Sequence, residues 1–107
     1  MKISKGPPLA PRERIAPPST VDHAAALALR ALAYLAGDDE KIDRFLSLTG
    51  VDPGDLRSLA VEPAFLCAVL DHLAQDERLL LDFAAAEKIR PGAVSAARRA
   101  LGGGDEV

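Results

Sequence analysis

Shifting the sequence by 38 positions lays its second half over its first. Leu32, Leu35 and Ala36 fall on Leu70, Leu73 and Ala74, Asp38 on Asp76, Phe45 on Phe83, and Pro53-Gly54 on Pro91-Gly92. Pairs of like chemistry fill the intervals: Asp39 with Glu77, Ile42 with Leu80, Val51 with Ile89, Leu56 with Val94. A fixed period of roughly 20–50 residues is the mark of one supersecondary unit used again. The chain is rich in Ala and Leu, which supplies some matches at any offset. The Pro-Gly, Phe and acidic matches are harder to obtain that way. The shift predicts two three-helix units related by pseudo-symmetry and sharing one core. It constrains architecture and leaves chemistry open.

At 107 residues the chain is one domain, residues 19–103, with a Pro-rich arm before it and a fraying tail over residues 104–107. Apolar residues make up 49% of the chain but aromatics only 4%, so the core must be built from Leu, Ala, Val and Ile. The single cysteine, Cys67, excludes an internal disulfide and fits a reducing compartment. Its neighbours Phe65, Leu66, Ala68 and Val69 mark it as a small core hydrophobe. No apolar run reaches the roughly 18–20 residues that span a bilayer, and no signal-peptide stretch opens the chain. A cytoplasmic protein with no membrane association is the expectation. The net charge is −3, yet residues 1–18 carry +3 from Lys2, Lys5, Arg12 and Arg14 against Glu13, leaving −6 on the remainder. An acidic body argues against broad phosphate-backbone binding. Pro7, Pro8, Pro11, Pro17 and Pro18 make residues 1–18 a disordered basic arm.

Local signals place six helices and no strands, an all-α bundle of five or six short helices. Ser19 is the expected cap of the first, and from Ala24 to Ala36 Arg30 is its only charge. A helix apolar all round is a buried one, so this is the expected central helix, with Arg30 snorkelling to the surface. Asp38 caps the second helix, whose Ile42, Phe45, Leu46 and Thr49 share a face and which Gly50 ends. Asp52 with Pro53 starts the third, and Val51 and Leu56 have the spacing of a hydrophobic staple. The same apolar–polar–Pro pattern recurs at Val61-Glu62-Pro63 and Ile89-Arg90-Pro91, where poor capping residues leave the start to proline and staple. The fourth helix, about Pro63 to Ala74, should bury Leu66, Val69, Leu70 and Leu73; the fifth, from Asp76, should bury Leu79, Leu80, Phe83 and Ala84. The sixth runs from Pro91 to Leu101 and stops at Gly102.

Each half also has helix–turn–helix spacing, so nucleic-acid binding is the alternative to a purely structural unit. The base-reading positions would be Pro53, Gly54 and Asp55, or Pro91, Gly92 and Ala93, which are poor readers. Arg98 and Arg99, with Lys88 at the turn, are the candidate nucleic-acid contacts, although dipole complementation explains the two arginines equally well. The pairs Asp22-His23 and Asp71-His72 suggest metal ligands, but adjacent helical residues diverge by about 100° and offer one ligand at most to a point. His72 shares a repeat position with Tyr34, which favours a half-buried boundary role for both. No catalytic constellation is visible: the acids sit at helix starts, and Gly102-Gly103-Gly104 has no helix after it. No cofactor and no enzymatic activity are expected.

Several segments together resemble a family of short alphaproteobacterial proteins catalogued as domain of unknown function 3572. They are Leu29-Arg30-Ala31-Leu32-Ala33-Tyr34-Leu35-Ala36, Arg44-Phe45-Leu46, Thr49-Gly50, Asp55-Leu56-Arg57, Phe65-Leu66, Val69-Leu70-Asp71-His72-Leu73 and Asp76-Glu77. The resemblance spans roughly residues 24–103. It implies a helical fold in a bacterial cytoplasm and brings no activity or site residues with it. The expected role is a non-enzymatic adaptor or small regulator whose protein partner meets a groove between the half-repeats or the arm. A homodimer is open, since a second subunit could also cover an all-apolar helix.

Overall fold

A computed structural model describes residues 20–102 of the chain. The arm, the Ser19 cap and the tail lie outside the described residues. Six α-helices follow one another: α1 (Thr20–Ala36), α2 (Asp39–Thr49), α3 (Leu56–Leu59), α4 (Pro63–Ala74), α5 (Glu77–Glu87) and α6 (Pro91–Ala100). No strand occurs among the described residues.

The caps follow from the residue types. Asp38 sits in extended backbone and accepts from the amides of Glu40 and Lys41, and Asp76 accepts from that of Leu79, 38 positions on. Each carboxylate satisfies amides that a helix start leaves without partners. Glu62 and Arg90 make no capping bond; Pro63 and Pro91 open α4 and α6 instead. Gly50 ends α2 with φ 75° and Gly102 follows α6 with φ 101°, both left-handed conformations that favour glycine. The stretch from Pro53 falls short of the expected third helix. Asp52 caps a 3₁₀ turn over Pro53–Asp55, which leads into the single α-turn of α3.

The core is mostly Leu, Ala and Val, as the composition required, but it also buries Phe45, Phe65 and Phe83, and α1, α4 and α6 lie at its centre. α1 buries Ala24, Leu27, Ala28, Ala31 and Leu35, a stripe of 3–4 spacing, and packs on α2, α4 and α6. It is central but not buried all round: Ala26, Ala33 and Ala36 are exposed, as are Val21 and Leu29 at 46% and 44%. Alanine carries too little apolar surface to demand cover, so low polarity did not translate into burial here. Arg30 is exposed and its Nε lies 2.8 Å from Oε1 of Glu87 on α5. Leu66, Val69, Leu70 and Leu73 of α4 are all buried, as are Leu79, Phe83 and Ala84 of α5, with Leu80 half-buried.

Two of the ring contacts between the halves match each other at the 38-residue offset, beside a third between Phe45 and Phe65 at 5.9 Å. Tyr34 on α1 meets Phe83 on α5 edge-on at 5.4 Å, and His72 on α4 meets Phe45 on α2 edge-on at 5.0 Å. Adding 38 to the first pair's Tyr34, and subtracting it from Phe83, gives the second pair. Each half lends a half-buried ring to the fully buried Phe of the other, a pattern consistent with the 38-residue offset. The third helices break the likeness. α6 wedges against both α1 and α4 and buries Val94 and Ala97. At the matching positions α3 offers Leu56 and Leu59, which reach only half-burial against the core.

Among the described residues one non-glycine residue has positive φ: Lys88, at 58°. Its amide donates to the Ala85 carbonyl at 3.2 Å and that of Ile89 to Ala84 at 2.9 Å, the paired bonds of a Schellman stop. The lysine Cβ pays for a conformation that glycine adopts freely. Lys88→Gly is therefore expected to stabilise the protein by about 0.5–1 kcal/mol in urea denaturation. Leu70 has no exposed surface, so Leu70→Ala should cost about 2–5 kcal/mol in the same assay. A cost near zero would overturn the placement of α4 at the centre.

Candidate functional site

Most charges at helix ends are already occupied. Asp38, Asp52 and Asp76 cap helices, Arg30 pairs with Glu87, and Nη1 of Arg98 lies 3.3 Å from Oδ1 of Asp71. A cavity of about 240 Å³ between α2, α4 and α5 is different. Lys41 and Arg44 of α2, His72 of α4, and Arg78, Leu79 and Asp82 of α5 line it, together with the capping residue Asp76.

The repeat positions build this cavity. Phe45 is buried one residue beyond Arg44, and the His72 ring lies against it at 77°. Buried Leu79 forms the apolar part of the wall. The Lys41 ammonium is 3.3 Å from Oδ2 of Asp38 and 5.9 Å from the centre of the Tyr34 ring, within cation–π reach. The Lys41 backbone amide is the largest influence holding the Asp38 carboxyl below the usual aspartate range, followed by the Lys41 side chain. The same hydrogen bond raises the Lys41 pKa. Arg44 and Arg78 take no ion-pair partner among the described residues. Nε2 of His72 is buried and makes no hydrogen bond. Burial pushes the His72 pKa below the ordinary 6.5, the charge of Arg44 adds to this, and Asp76 opposes it.

A second concavity, also about 240 Å³, runs between α1 and α6 and so between the halves. Ala24 and Leu27 face Ala93, Ala96 and Ala97, with Thr20 and His23 beside them. Small residues on both sides leave a shallow apolar groove.

The candidate nucleic-acid contacts do not form one surface of free cations. Arg98 is tied to Asp71, and its carbonyl accepts a long bond from the Cys67 thiol at 3.7 Å. Nε of Arg98 is buried without a partner. Arg99 is exposed in the last turn of α6, and Lys88 is exposed at the end of α5. Ala93, which would stand at a base-reading position, instead lines the groove with α1. The Asp-His pairs also diverge: His23 lies in the groove, His72 in the cavity, and Asp71 on Arg98. Cys67 is half-buried rather than fully enclosed.

The family profile described as "Protein of unknown function (DUF3572)" matches residues 21–104. The chain belongs to this family. No curated protein and no solved structure matches it. The match takes in every described helix except the first residue of α1, so groove and cavity are both built within the family's domain.

Sequence reasoning placed His72 at a boundary but did not collect Lys41, Arg44 and Arg78 around it. The only available signal was the 38-residue offset, which matches α2 packed on α1 with α5 packed on α4. The orphaned His72 nitrogen has a measurable consequence. A folded-state pKa below 6.5 means that the unfolded chain takes up a proton first as pH falls. Stability should hold above pH 6.5 and decline below it, and His72→Gln should flatten that decline. Urea midpoints from about pH 7.5 to 5.5 check this. Equal slopes in the two proteins would exclude His72 as the source.

Proposed function

We propose that this family member is a non-enzymatic interaction protein, an adaptor or small regulator in the bacterial cytoplasm, whose partner protein docks in the groove between α1 and α6. The groove carries the reading: Ala24, Leu27, Ala93, Ala96 and Ala97 form an apolar concavity between the halves, with polar Thr20 and His23 beside it. Alanine lining lets another backbone come close, and an amphipathic partner helix fits such a surface through anchors spaced three or four residues apart. Its chemistry is apolar on a body of acidic net charge, which suits a protein partner better than a polyanion.

The reading is tested by partner capture from native bacterial lysate with and without nuclease, comparing the natural chain with Ala96→Arg. Ala96 is exposed, so the arginine fills the groove without entering the core. The expected result is a stoichiometric protein partner with the natural chain and its loss in the variant, with unchanged thermal unfolding. Retention of the same partner by Ala96→Arg removes the groove from the reading. A protein set that vanishes with nuclease, together with salt-sensitive duplex binding abolished by Arg98→Ala/Arg99→Ala, would put the helix–turn–helix alternative first.

A further inference from the structure

We propose that the cavity between α2, α4 and α5 is a binding site for a single phosphoryl dianion. The cavity shares no lining residue with the α1–α6 groove, so the proposal stands apart from the docking reading. Three observations converge on it. First, cationic groups enter from two helices, with His72 on a third: Lys41 and Arg44 from α2, Arg78 from α5, His72 from α4. Second, two of them are uncommitted, since neither Arg44 nor Arg78 has an ion-pair partner among the described residues. Third, His72 lines the same cavity, and its enclosed Nε2 makes no hydrogen bond to the protein.

The shape of the ligand follows. At about 240 Å³ the cavity is smaller than the roughly 300–1,000 Å³ of drug-sized sites, so it admits one functional group rather than a nucleotide. Donors arranged on three helices suit a tetrahedral group with oxygens pointing in several directions better than a planar carboxylate. Arginine forks pair with phosphate oxygens two at a time, and a charge near −2 exceeds what a carboxylate brings to three cations. Two carboxylates line the same cavity. Asp76 is held by its capping bond to the Leu79 amide, and Asp82 faces the Lys41 charge. They leave the lining with one net positive charge when His72 is neutral and with two when both ring nitrogens are protonated. Asp38, just outside the lining, already pairs with Lys41 and leaves Arg44 and Arg78 as the free cations.

The group could arrive as free phosphate or on a phosphorylated side chain, and the test separates the two. Inorganic phosphate is titrated at low, constant ionic strength while the His72 ring and the backbone amides are followed by NMR, with chloride as the control. The expected result is a saturable shift centred on His72, Arg44 and Arg78 with Kd in the millimolar range. Arg44→Gln/Arg78→Gln should weaken it at least about tenfold, roughly 1.4 kcal/mol. Arg57→Gln, on α3 and away from the cavity lining, should leave it unchanged. A short phosphoserine peptide is then titrated beside its unphosphorylated form. Tighter binding than inorganic phosphate at the same residues identifies a phosphorylated side chain as the source; equal binding identifies the free ion. No shift at His72, or shifts spread over all surface cations that survive in the double variant, would overturn the proposal. The two glutamine substitutions are at exposed positions, and the His72 response of the natural chain is decisive by itself should the double variant unfold.

Discussion

The fold depends on a reciprocal exchange of rings. A domain with only Phe45, Phe65 and Phe83 as phenylalanines must place them where they hold the most. Phe45 and Phe83 are the largest fully buried side chains, and each is held edge-on by a ring from the opposite half. Such pairs are worth about 0.5–1.5 kcal/mol beyond the area they bury. Their greater effect is positional. Fixing Tyr34 on α5 and His72 on α2 sets the two helix pairs in register, and the aliphatic stripes of α1 and α4 then meet between them.

That register also decides where polar chemistry can collect. The two positions of the exchange are equivalent in sequence but not in consequence. Tyr34 turns its face toward Lys41, whereas His72 lines a cavity shared with Lys41, Arg44 and Arg78. The same geometric place carries an inert ring in one half and a titratable one in the other. The cavity thus stands where residues matched by the 38-residue offset differ in chemistry.

Helix boundaries were readable in the sequence because capping is local. Asp38, Gly50, Asp52, Pro63, Asp76, Pro91 and Gly102 all act within a turn of their own position. The inward faces of α4 and α5 were readable for a similar reason, since wide apolar stripes leave little choice of side. Burial of α1 was overestimated because a run of alanines has no face to read, and which side is covered is set by partners distant in sequence. The extent of α3 escaped for the opposite reason. Asp52 and Pro53 announce a start, and nothing local states that one turn follows. Arg98 was read as a terminal charge for the helix dipole, while its contact with Asp71 spans α6 and α4 and depends on their packing. The grouping of Arg44, His72 and Arg78 lay out of reach by the same logic: their proximity belongs to the assembly of three helices and to no single one.

The short α3 makes the two halves unequal in cohesion. One end of the domain is closed by the ten residues of α6, and the corresponding position of the other half is served by a four-residue turn. Cooperative units within a domain open independently when few contacts bind them to the rest. The edge formed by the end of α2 and by α3 is such a unit, with exposed Leu48 and Val61 adding little to hold it. By that principle unfolding should have a polarity, with this edge opening before α1, α4 and α6 come apart. The protein has a soft end and a firm one, although the same Pro-Gly pair opens both.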